Sequence, residues 1–265
     1  MQRRVATLAA VTTFALVFSA TPALASSPAV PAHSSGANLT CTGGSIDAGT
    51  YDSVTVTGSC TVDDGSISVR HDLVIRKGAV LLAWYGGSNV TVDGNLRVEK
   101  NGVLVLGCGL PSSVCSDDPG DYSYRAAGTV GHDLKAEDAL AVIVHNTSVG
   151  HNLDQHGGGG GLNCDSPAYS TYEDTTIGGS VSITGLRTCW LGFLGNTVGH
   201  NVEFNNNRTF MVEPTGPDGN EVAANVIGGN LSCAGNHPAP QVGDSGLPLN
   251  VVGRHATGQC AGLKT

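Results

Sequence analysis

The chain has 265 residues, with 22 acidic against 13 basic side chains and a formal net charge of −9. This acidic balance argues against nucleic acid and anionic membranes as partners. Only 13% of the residues are charged and 5% are aromatic, whereas glycine occurs 38 times. Helical periodicity is nearly absent, so the sequence argues against a helical bundle and favours an all-β chain with many turns.

The first residues have the pattern of a secretory signal peptide. Arg3 and Arg4 precede an apolar run from Val5 to Ala20, and Ala23-Leu24-Ala25 offers the small-x-small pattern that signal peptidase cleaves. No later apolar run is long enough to span a bilayer. We therefore expect residues 1–25 to be removed and the protein to be secreted. The leader holds two of the 13 basic residues and no acidic one, which leaves 11 basic against 22 acidic residues.

Residues 26–38 are rich in Pro, Ser and Ala, which predicts a flexible segment, and residues 39–265 show no compositional break, which predicts one domain. Within that domain the pentapeptide VGHNL keeps returning in related forms. The copies are Val69–Leu73, Val92–Leu96, Val130–Leu134, Val149–Leu153, Ile177–Val181, Val198–Val202 and Ile227–Leu231. Their first residues are 23, 38, 19, 28, 21 and 29 positions apart. The chain is therefore a repeat protein with a unit of about twenty residues and variable inserts.

Each copy places a small or polar pair between apolar residues, which is typical of a strand, a tight bend and another strand. A unit of two or three short strands cannot bury its apolar side alone, so we expect the units to stack into a parallel β-helix. Irregular unit length and long inserts favour a right-handed coil. The bend residues should then form a ladder of turn side chains: Asp72, Asn95, Asp133, Asn152, Ser180, Asn201 and Asn230. Residues 134–144 could be argued as a helix, but the repeats predict a rung there.

Eight cysteines in an exported chain indicate disulfides rather than a metal cluster. Neighbours in the sequence of a solenoid are neighbours in space, which favours pairing Cys41 with Cys60, Cys108 with Cys115, Cys164 with Cys189, and Cys233 with Cys260. Other pairings stay open. We expect no cofactor and no bound metal, and a monomer.

Functional residues should lie in what the repeats leave unexplained. The inserts are residues 107–129, 154–176, 186–196, 205–225 and 234–251, and each follows a repeat strand. Stacking should therefore gather them on one flank, with most of the tyrosines, one tryptophan and several arginines. Aromatic rings beside Arg and Asn are typical of a sugar-binding cleft.

This flank could cleave an acidic polysaccharide by β-elimination, which needs a cation for the uronate carboxylate, a base for the C5 proton and an acid for the leaving oxygen. We expect the catalytic residues to be His156, Tyr169, Tyr172 and Arg187. The expected substrate-binding residues are Tyr122, Tyr124, Arg125, Trp190, Asn205, Asn207 and Arg208. Alternatively, these side chains only cover an apolar flank, or Glu173 or Asp174 forms a hydrolase pair with a partner such as Glu213.

Three further patterns have a simpler structural interpretation. The bend histidines His71, His132, His151 and His200 could invite a metal, but a ladder of turn histidines explains them better. Asp117, Asp118 and Asp121 lack the EF-hand spacing and indicate a solvated turn. The glycines of residues 157–161 could let the backbone approach a ligand or give its neighbours room.

The run GGGGGLNCDSPAYSTYEDTTIGGSVSITGLRTC from Gly157 to Cys189, the WLG after it, and the ending from IGGNLSCAGNHPAP to GQCAGL resemble a family of small secreted actinobacterial repeat proteins. Size, secretion and β-helical character are also similar to those of the small streptomycete hyaluronate lyases, although no catalytic motif matches residue by residue. The resemblance implies an extracellular lyase for a uronate-containing polysaccharide such as hyaluronan. The alternative is a non-catalytic structural or adhesive solenoid.

Overall fold

The structure, a computed structural model, describes residues 36–63, 65–109, 125–164, 168–210, 212–213, 216–217, 219–243 and 245–265. These residues form strands and turns and contain no helix, and they belong to one compact unit, His33–Thr265. The predicted leader and most of the predicted flexible segment lie outside the described residues. The first strand begins at Ala37, two residues before the predicted start of the domain.

The strands follow one another with short turns. In chain order they are β1 (Ala37–Ser45), β2 (Gly49–Thr61), β3 (Ser66–Val69), β4 (Leu73–Ile75), β5 (Val80–Ala83), β6 (Asn89–Val92), β7 (Leu96–Val98), β8 (Val103–Leu106), β9 (Ala127–Val130), β10 (Leu134–Glu137), β11 (Ala141–His145), β12 (Thr147–Val149), β13 (Leu153–His156), β14 (Tyr169–Glu173), β15 (Thr176–Ile177), β16 (Val181–Thr184), β17 (Arg187–Thr188), β18 (Trp190–Leu194), β19 (Thr197–Val198), β20 (Val202–Asn205), β21 (Arg208–Thr209), β22 (Val212–Glu213), β23 (Gly216–Pro217), β24 (Asn220–Ala223), β25 (Val226–Ile227), β26 (Leu231–Ala234), β27 (Val251–Val252) and β28 (Ala256–Gly258).

Twenty-four of these strands form one parallel sheet that coils into three faces. The long strand β2 shows the arrangement, because its successive parts pair with β3, β4 and β5. The first face continues through β6, β9, β12, β15, β19, β25 and β27. The second face continues through β7, β10, β13, β16, β20, β26 and β28. The third continues through β8, β11, β14, β18 and β24. The predicted parallel β-helix is confirmed.

The sequence repeat is the structural rung. The residues that open the seven VGHNL-like copies are paired in register from rung to rung and are at most 2% exposed: Val69, Val92, Val130, Val149, Ile177, Val198 and Ile227. Tyr51 precedes this column and Val252 follows it. Residues 134–144 hold β10 and the start of β11, as the repeat predicted, and no helix.

The predicted ladder of bend residues lies at the corner between the first and second faces, which we call the first corner. Each side-chain oxygen accepts a hydrogen bond from the backbone N–H at the same position of the next rung. The series runs from Asp72 through Asn95, Asp133, Asn152, Ser180, Asn201 and Asn230 to the N–H of His255. The polar bend residues therefore satisfy backbone groups and hold the register of the solenoid.

The glycine that follows the opening residue is not required by a special backbone conformation. Many glycines of the described chain have positive φ, but Gly131, Gly150, Gly178, Gly199 and Gly228 do not. Instead, a Cβ on Gly150 would lie 2.1 Å from the carbonyl oxygen of Gly131, and one on Gly178 would lie 2.3 Å from that of Gly150. This column is glycine because successive rungs leave no room for a side chain.

Side-chain amides also form ladders inside the other two corners. Between the third and first faces, Asn196 donates to the carbonyl of Tyr172, and Asn225 donates to that of Phe193. Asn196, Asn225 and Asn250 also bond one another in series and are fully buried. Between the second and third faces the series is Asn207, Asn236 and Gln259. The five asparagines of these ladders are buried and satisfy the turn backbone where water cannot reach it, whereas Gln259 at the last rung is exposed.

Three of the predicted disulfides are present: Cys41–Cys60, Cys164–Cys189 and Cys233–Cys260, with Cα–Cα distances of 6.4, 5.7 and 5.3 Å. The fourth predicted pair involves Cys115, which lies outside the described residues. Three disulfides are typical of a protein that matures in an oxidising compartment. In the described part of the chain no helix is long and apolar enough to cross a membrane.

Residues Gln259–Thr265 fold back against the last rung. The N–H of Asn250 donates to the carbonyl of Leu263 at 3.0 Å, and the N–H of Thr265 donates to the carbonyl of Asn250 at 3.0 Å. Cys260 is fully buried in the main core, and Leu263 packs against that core. This segment, which we call the closing turn, covers the open end of the solenoid.

The inserts border the third face, as the predicted flank requires, but they leave the solenoid at two corners. The insert after β8 leaves between the third and first faces, whereas those after β13 and β21 leave between the second and third faces. Much of what the sequence suggested to be insert is third-face strand: β14, β18 and β24. These strands went unrecognised because they carry no copy of the VGHNL pattern.

Candidate functional site

Two arginines are stacked at the corner between the second and third faces, which we call the second corner. Arg187 and Arg208 are register partners in the small parallel sheet of β17 and β21, and His237 follows Arg208 on the next rung. Alternation points all three outwards, because Leu186 and Thr188 beside Arg187 are fully buried. Like charges directly opposite one another in a sheet are destabilising, so this column suits an anionic partner.

The arginines are available for such a partner. Both are exposed, and none of the ion pairs formed by the described residues includes either of them. The cationic groups of Arg70, Arg76 and Lys135 are instead paired with carboxylates at 2.7 to 3.3 Å. Among the described residues, the second corner therefore carries two arginines without an ion-pair partner, on a chain with a net charge of −9.

Aromatic rings continue the surface onto the start of the third face. Tyr169, which is 39% exposed, pairs in register with Trp190, and the two rings meet edge to face with centroids 6.3 Å apart. Phe210 is 59% exposed, and its N–H donates to the carbonyl of Cys189 at 3.3 Å. We call Tyr169, Trp190 and Phe210 the aromatic strip. Such rings provide stacking surfaces for sugars next to the arginines.

Gly192 gives Trp190 its position. A Cβ at Gly192 would lie 2.4 Å from the six-membered ring of Trp190, so the indole lies across the glycine on the outer side of the sheet. In register, Gly192 lies between Thr171 and Glu221. The indole thus covers the centre of the third face and stays partly exposed.

The glycine run is a scaffold for the second corner. All five glycines of residues 157–161 have positive φ, from 64° to 92°. The N–H groups of Gly157, Gly159 and Gly161 donate to carbonyls of Thr184, Ala139 and Arg187. The Cys164–Cys189 disulfide ties the same insert to the residue before Trp190. The run fits closely between neighbouring rungs, and the predicted approach of its backbone to a ligand is not needed to explain it.

His156 lies on the second face beside the second corner. It is exposed, and its Nδ1 is 2.6 Å from Oγ1 of Thr184. Thr184 and Asn205 follow it in the same column on the next two rungs. Oδ1 of Asn205 accepts the N–H of Ala234 at 2.8 Å, so its carbonyl supports the rungs. Arg187 follows Thr184 by three residues, which places it between the His156 column and the aromatic strip.

The predicted role of Tyr172 as a proton donor or acceptor is wrong in this structure. Its ring points into the core and is fully buried, and its hydroxyl donates to Oε1 of Gln155 at 2.5 Å. Gln155 in turn donates to Ser170. Burial raises the pKa of Tyr172 far above its usual value. Side chains alternate between the two sides of a strand. Tyr169 and Tyr172 are three residues apart on one strand and therefore face opposite sides.

Two of the predicted substrate-binding residues are separated from the second corner and the aromatic strip. Asn207 is fully buried, where it donates to the carbonyl of Ile183. Arg125 lies at the corner between the third and first faces, where its carbonyl accepts the N–H of Gly87. Tyr122 and Tyr124 lie outside the described residues. The structure therefore brings together His156, Tyr169, Arg187, Trp190, Asn205 and Arg208.

A buried group of acid–base residues on the outer side of the third face went unrecognised in the sequence. Oε1 of Glu173 accepts the hydroxyl of Thr171 at 2.6 Å and lies 3.6 Å from Nε2 of His145. Glu221 is 3% exposed and lies two rungs from Thr171 in the same register column. Burial lowers the pKa of His145 to about 4, although the neighbouring carboxylate favours the charged imidazole. The suggested hydrolase residue Glu173 is thus shielded from solvent.

Phe210 and His237 were also missed, although a signal was present. The dipeptide Arg-Thr occurs at residues 187–188 and again at 208–209, with the spacing that separates the copies at Ile177 and Val198. That coincidence predicts a pair of stacked rungs at the second corner, and Phe210 follows from the same register.

The described residues contain no group of three or more His, Cys, Asp or Glu side chains placed to hold a metal ion. His132 and His151 stack with ring centroids 5.1 Å apart, as the ladder interpretation of the bend histidines suggested. Comparison of the chain with known protein families, characterised proteins and solved structures finds no match.

Proposed function

We propose that the protein is a secreted lyase that binds a uronate-containing polysaccharide across the second corner and cleaves it by β-elimination. The stacked pair of Arg187 and Arg208 next to the aromatic strip carries this proposal. Two exposed guanidinium groups on adjacent rungs can each bind a carboxylate through paired N–H groups. Hyaluronan, whose uronates alternate with neutral sugars, is the first substrate to test.

The arginine pair, His156 and Tyr169 supply the three roles that β-elimination needs. Arg187 and Arg208 neutralise the uronate carboxylate, which makes the C5 proton more acidic. When Nδ1 of His156 donates to Thr184, Nε2 carries the lone pair that removes this proton. The C4–C5 double bond forms as the C4–O bond breaks, and the Tyr169 hydroxyl protonates the leaving oxygen.

Secretion is part of the same proposal. The leader pattern in residues 1–25 and the three disulfides support it. Expression of the full chain in a secreting host should deliver the protein to the medium with an N-terminus near Ser26. An uncleaved N-terminus in the cell fraction would contradict this part of the proposal.

The test is incubation of the purified protein with hyaluronan, chondroitin and pectate, followed through the ultraviolet absorbance of unsaturated uronate products. The Arg187→Ala and His156→Ala variants should each lower the rate by about a hundredfold. Arg125→Ala is the matched control, because it removes an exposed arginine from another corner and should leave the rate unchanged.

The outcomes separate the lyase from the alternative function. Absence of an absorbance rise with all three polymers would contradict the lyase proposal. Retention of the protein on immobilised hyaluronan in that case, lost in Arg187→Ala but not in Arg125→Ala, would instead support the non-catalytic adhesive solenoid. The aromatic strip and the arginines would serve that function equally well.

A further inference from the structure

One outward column of the first face is unusually regular. It consists of seven consecutive hydroxyl residues followed by two valines: Thr50, Ser68, Thr91, Thr129, Ser148, Thr176, Thr197, Val226 and Val251. All are register partners from rung to rung without a bulge. We call this the hydroxyl column. Because rungs lie about 4.8 Å apart, its hydroxyl residues form a row about 30 Å long.

The surface beside this column is bare backbone. The next outward position holds Gly131, Gly150, Gly178, Gly199, Gly228 and Gly253. A Cβ at any of them would lie 2.1 to 2.5 Å from a carbonyl oxygen of the preceding rung. On this side no side chain can therefore stand next to the hydroxyl column from Thr129 onward, so a flat extended object can approach it there.

The hydroxyl column contains no charged residue, in a chain with 35 charged ones. The position beside it holds Asp52, Arg70 and Asp93 on the earlier rungs and only glycine from Gly131 onward. The corresponding outward column of the second face carries Arg97, Lys135, Asp154 and Glu203 instead. Thr129, Ser148, Thr176 and Thr197 are all exposed, and Val226 and Val251 are 50% and 54% exposed. The electrostatic match of this surface is an uncharged partner.

We infer that the hydroxyl column binds ice. Each hydroxyl both donates and accepts hydrogen bonds, so it can occupy a place in an ordered water lattice. The rigid rungs fix the spacing in advance, and that spacing is close to the oxygen repeat in the basal plane of hexagonal ice. The methyl groups of the threonines and valines extend the same flat column surface and exclude disordered water. Many weak contacts then act together on one rigid partner.

The purified protein is tested for thermal hysteresis and for incorporation into a slowly growing ice front. The wild-type protein should stop ice growth at small undercooling and enter the ice. Thr129→Lys and Thr176→Lys place a long charged side chain on the column and should abolish both effects. Ser182→Lys is the matched control on the second face, and it should retain both effects.

Thermal unfolding of each variant is the control for folding. We expect the fold to be kept, since the substituted positions are exposed or half-buried on the outside. Exclusion of the wild-type protein from ice overturns the inference, as does full activity of Thr129→Lys. Retention on crystalline cellulose that Thr129→Lys abolishes, without any effect on ice, would also overturn it and assign the column to an ordered glycan. Arg187→Ala should leave the ice effects unchanged, which keeps this inference independent of the lyase proposal.

Discussion

The first and second corners of the solenoid solve the same geometric problem in different ways. At the first corner a short polar side chain from every rung accepts a backbone N–H of the next rung, from Asp72 to Asn230, and no insert interrupts the series. At the second corner Asn207 and Asn236 do this work inside the turn. The outside of that corner carries Arg187, Arg208 and long inserts.

This difference separates architecture from function. The regular corner repeats in the sequence because each rung must present the same groups to the next. The irregular corner stacks like charges and exposes aromatic rings, and both arrangements reduce stability in the absence of a ligand. In this repeat protein, the regular first corner identifies the scaffold. The second corner, whose stacked charges and exposed rings lower stability, identifies the proposed binding surface.

The largest expected effect comes from the buried amide ladder between the third and first faces, compared with the solvated ladder of the first corner. Asn225→Leu leaves the carbonyl of Phe193 and the N–H of Asn196 without partners. We expect a loss of about 4 kcal/mol in the free energy of unfolding, measured by urea denaturation. Asn230→Ala at the exposed first corner should cost about 1 kcal/mol. Equal losses at the two sites would contradict a distinction between buried and solvated ladders.

The next effect tests whether the disulfide supports the second corner. Replacing both Cys164 and Cys189 by Ser opens a crosslink with a sequence separation of 25 residues and should cost about 3 kcal/mol. It should also weaken binding of hyaluronan, because the insert that lies against Arg187 is released. The matched control replaces Cys233 and Cys260, with a separation of 27 residues. It should cost a similar stability and leave binding intact.

The pH dependence of stability should report the buried histidine of the third face. The pKa of His145 is lowered from 6.5 to about 4 by burial, so the unfolded state binds the proton that the folded state excludes. Stability should therefore fall as the pH drops from 6.5 towards 4, by about 3 kcal/mol in total. His145→Gln should remove this slope in urea unfolding measured across the range. A slope that persists in the variant would assign it to other groups.

The smallest effect on stability concerns the position of Trp190. Gly192→Ala pushes the indole off the sheet, and we expect a cost of about 1 kcal/mol because the ring can move outwards. Hyaluronan affinity should fall by about tenfold, and the tryptophan fluorescence should shift. Ser232→Ala on the second face is the control. Unchanged affinity would show that the indole only covers the third face.

The fold could be predicted because the repeat sets the register. The seven copies placed two of the three faces, and the position of Asn95 or Asn152 in the ladder followed directly. The third face stayed hidden, since β14, β18 and β24 contain Tyr, Trp and Asn where the other strands have Val and Leu. The reason for the repeat glycines could not be predicted, because a sequence does not show how closely two rungs approach.

The candidate site was predictable in part. Arg187, Arg208, Tyr169, Trp190, Asn205 and His156 lie on or beside the second corner because the rungs stack their strands in register. Tyr172 was misassigned because a difference of one residue in strand phase turns a side chain from solvent to core. Asn207 was misassigned because the sequence does not show that its turn directs the amide inwards. His145 and Glu221 could not be found, since a sequence does not show that outward positions of the third face are buried.

The closing turn of residues 259–265 occupies the strand edge on which a further rung would pair. A parallel solenoid ends in strands whose N–H and C=O groups match those of another solenoid end, so an open end is a template for filament growth. Here Asn250 bonds to Leu263 and Thr265 instead, and Cys260 fills the core beneath the last rung. A few residues of irregular chain thereby take the backbone hydrogen bonds that another solenoid end would need at this edge.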